Sequence, residues 1–150
     1  MTKEITVPGP KEGVTQQNLQ EKLMLFQLME KQLETLAQHQ SMIDMRLTEA
    51  ETTGSAIDEL EKLGSGNETL IPIGTGLYAK SSVTGKTLLT ELGANVMKES
   101  SFLEARGFLD RRKKELEKVS NQIEEQVKDI TAKLNELGPE LQRLAAQIQQ

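Results

Sequence analysis

The chain has 150 residues, 36% of them hydrophobic and only 3% aromatic, with no Trp and a net charge of −5. That is length for one domain but too little ring and β-branched bulk for the core of a sandwich, a barrel or a doubly wound enzyme. With no Cys and a single His, disulfides, thiolate metal sites and most acid–base constellations are excluded, and the acidic balance disfavours nucleic acid as a partner.

Residues 1–14 carry Pro8, Gly9, Pro10 and Gly13 among scattered charges and read as a flexible segment. A helical pattern then occupies 15–63. Its seam falls on Leu19, Phe26, Leu33, Gln40, Leu47 and Gly54 at one heptad position and Lys22, Met29, Leu36, Ile43, Ala50 and Ile57 at the other, nine of the twelve apolar. A stripe sustained for six heptads is longer than a surface helix needs and marks a coiled coil. Gly64 is placed to end the helix.

The connector, residues 64–99, changes texture. It holds six of the eleven glycines, no Gln, and frequent Val, Ile and Thr. Four short strands are predicted, Thr69–Ile73, Leu77–Val83, Thr87–Leu92 and Asn95–Lys98, turning at Gly74-Thr75-Gly76, Thr84-Gly85 and Gly93-Ala94. Pro72 confines the first strand to an edge or a bulge. Two hairpins this small cannot hold a core alone, so their edges are expected to pair with other chains, with Ile71, Pro72, Ile73, Tyr78, Leu88 and Leu92 as the candidate assembly residues.

The second helix is predicted over 100–150 and opens on a capping box, Ser101 to Glu104. Its seam reads Phe102, Ala105, Leu109, Arg112, Leu116, Val119, Ile123, Val127, Ile130, Leu134, Leu137, Leu141, Leu144 and Ile148, with a stutter at Val119-Ile123-Val127. Gly138-Pro139 keeps the phase of the seam and is expected to kink the helix without dividing it. Two apolar arms of nearly equal length around a compact connector predict a mainly α fold with a small β insert. Its architecture is an antiparallel two-helix coiled-coil hairpin, with two β-hairpins at the connector end.

Several tempting signals carry no chemistry. Thr84-Gly85-Lys86-Thr87 lacks the earlier glycine of a phosphate loop, because that position is Lys80, and no helix is predicted after Thr87. Arg111-Arg112-Lys113-Lys114 is neutralised by Asp110, Glu115 and Glu117 and reads as a solvated helix face. His39 has no second ligand type nearby, Glu124-Glu125 has no pocket to shift a pKa, and Asn67-Glu68-Thr69 has no meaning as a sequon in a cytoplasmic chain. No window approaches a membrane span and the first residues lack a signal peptide's apolar core. The expectation is a cytoplasmic non-enzyme with no catalytic residue, no metal, no cofactor and no membrane partner.

The connector begins Leu70-Ile71-Pro72-Ile73-Gly74-Thr75-Gly76-Leu77-Tyr78-Ala79-Lys80, and Leu92-Gly93 precedes its last strand. Set between two long helices, these stretches resemble the α-type subunits of the prefoldin family over essentially all of residues 15–150. Asn95 stands where members of that family often carry a second glycine. The resemblance implies two α-type and four β-type subunits joined through their hairpins into a double β-barrel body. It also implies coiled-coil arms whose distal ends hold unfolded polypeptides and deliver them to a group II chaperonin without ATP. On that picture the client-binding tip comprises Leu19, Leu23, Met24, Leu25, Phe26 and Leu28 with Leu141, Leu144 and Ile148. The rival expectation is a structural coiled-coil scaffold or tether whose insert is a dimerisation knob.

Overall fold

The computed structural model describes the backbone of residues 12–149 and the side chains of residues 16–149. Its elements in chain order are helix α1 (Glu12–Leu63), strands β1 (Glu68–Gly74), β2 (Leu77–Ser82), β3 (Thr87–Gly93) and β4 (Val96–Ser101), and helix α2 (Phe102–Ile148). The flexible segment expected over 1–14 lies outside the described residues as far as residue 11, and α1 takes in its last three positions.

Helix ends follow local chemistry. At the end of α1, Gly64 adopts φ +69° and its N–H donates to the Leu60 carbonyl at 3.3 Å, the single bond of a left-handed cap that only glycine makes without strain. The Asn67 amide also donates to the Leu63 carbonyl, which the helix leaves without an internal partner. At the start of α2 the predicted capping box forms. The Glu104 N–H donates to Ser101 Oγ and the Ser101 N–H to Glu104 Oε2, both at 3.1 Å. The helix therefore starts at Phe102 rather than residue 100, because β4 runs on to Ser101. It continues as helix through Pro139.

The strands form two separate antiparallel hairpins, β1–β2 and β3–β4. In the first, Leu70 faces Lys80, Ile71 faces Ala79 and Pro72 faces Tyr78. Ile73 is then the extra residue of a bulge before Gly74 meets Leu77. Pro72 thus sits beside the irregularity its missing N–H calls for. In the second, Leu88 faces Ser100 and Thr90 faces Lys98, with Leu92 as the extra residue. The turn lies at Ala94 (φ +50°) and Asn95 (φ +60°), one residue later than Gly93-Ala94. Two left-handed residues in a two-residue loop match the twist of paired strands, and Asn95 tolerates that conformation better than Ala94.

The chain divides into two units, and each is held by the pairing of its helices. In the unit of residues 42–120, Ala50, Ile57 and Ala105 are buried, Gly54 lies beside Leu109, and Arg106 of α2 grips Asp58 and Glu61 of α1. In the unit formed by 12–41 with 121–149, Ile123 and Leu137 are buried, Phe26 lies against Gly138, and Lys22 pairs with Glu140. Residue numbers rise on one helix as they fall on the other in both, so the helices run antiparallel. All twelve predicted seam positions of α1 are buried or half-buried while their neighbours are exposed.

Two seam positions of α2 differ from the prediction. Arg112 and Val119 are exposed, and Lys113 and Ser120 take their places, Ser120 at 9% exposure. The stutter accordingly falls at Ala105-Leu109-Lys113 instead of Val119-Ile123-Val127. Arg112 lies over the Phe108 ring at 5.4 Å, a contact that favours a place on the flank for its cation. The shifted phase gives the seam the smaller Ser120 and leaves Val119 half in water, so packing phase outweighs the larger apolar side chain.

Candidate interaction surfaces

Among the described residues there is no cluster of His, Asp or Glu able to hold a metal ion, and no helix is long and apolar enough to cross a membrane. What the structure offers is apolar surface left uncovered by the chain's own packing.

The first such surface lies on the hairpins. Ile71, Ile73 (66%), Tyr78 (62%), Leu92 and Pro72, all candidate assembly residues, are exposed. Leu88 is the exception. It is half-buried and lines a hollow of about 960 Å³ walled by β3, by α1 from Ile43 to Leu60 and by α2 from Ala105 to Val119. Leu88 faces inward because its cross-strand partner is Ser100, which is buried, so this pair occupies the covered face of β3–β4. Sequence reasoning missed five further exposed residues: Leu70, Leu77, Leu89, Val96 and Met97. Strand alternation would have flagged Leu89 and Met97, which sit on the face opposite Leu88. The connector is tied to its first hairpin by two bonds, Gly66 N–H to the Val83 carbonyl at 2.7 Å and Val83 N–H to the Asn67 carbonyl at 3.1 Å.

The second surface lies in the early turns of α1. The structure divides the nine candidate tip residues in two. Leu19, Phe26, Leu141, Leu144 and Ile148 are half-buried, on seam positions. Leu23, Met24 (70%), Leu25 and Leu28 are exposed. Met24 and Leu28 are four apart and Leu25 and Leu28 three apart, so they are neighbours on one outer face. The split follows from phase: three and four residues separate the seam positions, and these four fall between them. Leu28 also borders a shallower hollow of about 710 Å³ lined with Leu36 and Ile130.

Charges near this end hold the helices in register. Lys22 donates to Glu140, and that hydrogen bond, with the nearby charges of Lys22 and Arg143, keeps the Glu140 carboxyl below the usual carboxylate range although partial desolvation pushes the other way. In the other unit Arg106 donates to Asp58 Oδ1 at 2.9 and 3.1 Å and also to Glu61. The bonds to Glu61 and then Asp58 raise its already high pKa, so the fork stays charged at any ordinary pH.

These features agree with the comparisons to known proteins. The family model for prefoldin subunits matches residues 29–147. The prefoldin subunit alpha of Pyrobaculum aerophilum is 31% identical over 133 residues, which is 87% of this chain and 98% of that one. That of Methanosarcina acetivorans is 30% identical over 122 residues, covering 79% and 86%. Among solved structures, a filamentous PFD from Methanocaldococcus jannaschii superposes with a TM-score of 0.69 at 21% identity, covering 77% of this chain and 96% of that one. The prefoldin beta subunit from Thermococcus strain KS-1 gives 0.55 at 22%, covering 84% and 90%. The chain belongs to the prefoldin family, and the helix pair and strand hairpins are that family's fold. With two hairpins between its helices and relatives that are alpha subunits, it is an α-type chaperone subunit.

Proposed function

We propose that this chain assembles with β-type prefoldin subunits through its hairpins, captures unfolded polypeptides with the outer face of early α1, and passes them to a group II chaperonin in the cytoplasm without ATP. The stoichiometry that goes with this reading is two α-type and four β-type subunits. The observation that carries it is the run Leu23-Met24-Leu25, with Leu28 one turn on. These four side chains are exposed in the early turns of α1, and the strands offered for assembly follow Leu63 in the chain. A face of Leu and flexible Met suits many apolar sequences, because its contacts need little shape match. Non-native chains expose such sequences, and removing them from water drives binding without nucleotide energy.

The test is aggregation of a chemically denatured protein in the presence of the complex formed with a β-type subunit. The double variant Leu25→Ser/Leu28→Ser is expected to assemble normally by native mass spectrometry and to lose most of its suppression of aggregation. Undiminished suppression by that assembled variant overturns the proposal, and a homodimer indifferent to unfolded chains would favour a scaffold instead.

A further inference from the structure

The chain has no cysteine, so its six methionines hold all of its sulfur. The fold sorts them. Met24 and Met45 are each 70% exposed, whereas Met29 is half-buried on the seam. Met24 stands between Leu23 and Leu25 and one turn before Leu28, within the apolar patch. Met45 lies on the same helix with Ser41, Met42, Thr48 and Glu49 as its neighbours one turn away. Two thioethers of equal access thus occupy different settings, one inside the capture surface and one outside it.

We infer that Met24 is an oxidation-responsive site whose conversion to the sulfoxide weakens client capture, an inference that rests on the client-binding reading above. The oxidant is a peroxide. The sulfur lone pair attacks one peroxide oxygen, the O–O bond breaks, and hydrogen peroxide is reduced to water as sulfur gains one oxygen and loses two electrons. The product is a polar acceptor in the middle of an apolar face, and covering it with a client costs desolvation that the thioether does not. Losing part of one methionine's apolar contribution corresponds to about three- to tenfold weaker capture. The change is reversible, since a pair of sulfoxide reductases, one for each sulfoxide epimer, returns the thioether with a dithiol, the oxygen leaving as water and the thiols as a disulfide.

The experiment treats the complex assembled with a β-type subunit with hydrogen peroxide. It reads sulfoxide at each methionine by peptide mass spectrometry, and capture of a denatured protein before and after. Met24 and Met45 are expected to oxidise ahead of Met29, capture is expected to fall about three- to tenfold, and the two epimer-specific sulfoxide reductases together with dithiothreitol are expected to restore it. In Met24→Leu the ratio of capture before and after peroxide stays near one, whatever its starting level, while Met45→Leu remains as sensitive as the unaltered chain. Full capture by a chain oxidised at Met24, or an equal loss in Met24→Leu, overturns the inference. The untreated Leu25→Ser/Leu28→Ser variant separates the two ideas. If it loses capture while Met24 sulfoxide has no effect, this inference alone fails; if it keeps capture, the client reading fails as well.

Discussion

Within residues 42–120 the helices and the strands treat their apolar side chains in opposite ways. On the helices the seam residues turn toward each other: Ile57 is 6% exposed, and Ala50 and Ala105 are buried. On the hairpins Ile71, Ile73, Tyr78, Leu89 and Leu92 stay exposed although every strand has a partner. A helix satisfies its backbone internally and needs one stripe covered, which a second helix does. A two-stranded sheet has two faces and two edges, and one neighbour leaves most of that open. The helix pair covers its seam within one chain, whereas the hairpins leave most of their large apolar side chains open to solvent.

That contrast can be broken by substitution. Ile57→Ala and Ile123→Ala, each at a buried seam position, are expected to cost about 2–4 kcal/mol of unfolding free energy, measured with denaturant on the chain alone. Ile71→Ala is expected to change that quantity by less than about 0.5 kcal/mol, yet to weaken the complex with a β-type chain on native mass spectrometry. A loss from Ile71→Ala as large as that from Ile57→Ala would erase the distinction. Ser101→Ala sharpens it at the joint of strand and helix: losing the cap to Glu104 should cost about 1 kcal/mol in the same assay, with hydrogen exchange rising first in the opening turn of α2. The smallest effect is expected from Ala94→Gly, where φ is +50°. Relief of the left-handed conformation, less the extra freedom of an unfolded glycine, should raise stability by about 0.5 kcal/mol, read as a rise in Tm.

Much of this was legible from spacing alone. The seam of α1 was readable at every position from Leu19 to Ile57, because Met24, Leu25 and Leu28 fall out of phase and cannot compete for it. In α2 the same reasoning chose Val119 over Ser120 and Arg112 over Lys113, since hydrophobicity cannot detect which of two adjacent positions the partner helix will meet. The strands were located within a few residues, but alternation does not say which face is covered. Spacing alone therefore groups Leu88 with Tyr78, although Leu88 turns inward. Of the candidate tip, the heptad phase separates Leu19 and Phe26, which are half-buried on the seam, from Leu23, Met24, Leu25 and Leu28, which are exposed.

One joint in the chain has no slack. β4 ends at Ser101 and α2 starts at Phe102, while Gly64 to Asn67 intervene on the other side, between Leu63 and Glu68. A residue inserted at the tight joint would rotate every later side chain of α2 by about 100° about its axis and carry its stripe away from α1. The four-residue spacer has room to absorb such a change. The hairpin β3–β4 therefore sets the rotational phase of α2 directly, with no intervening residue to take up a change.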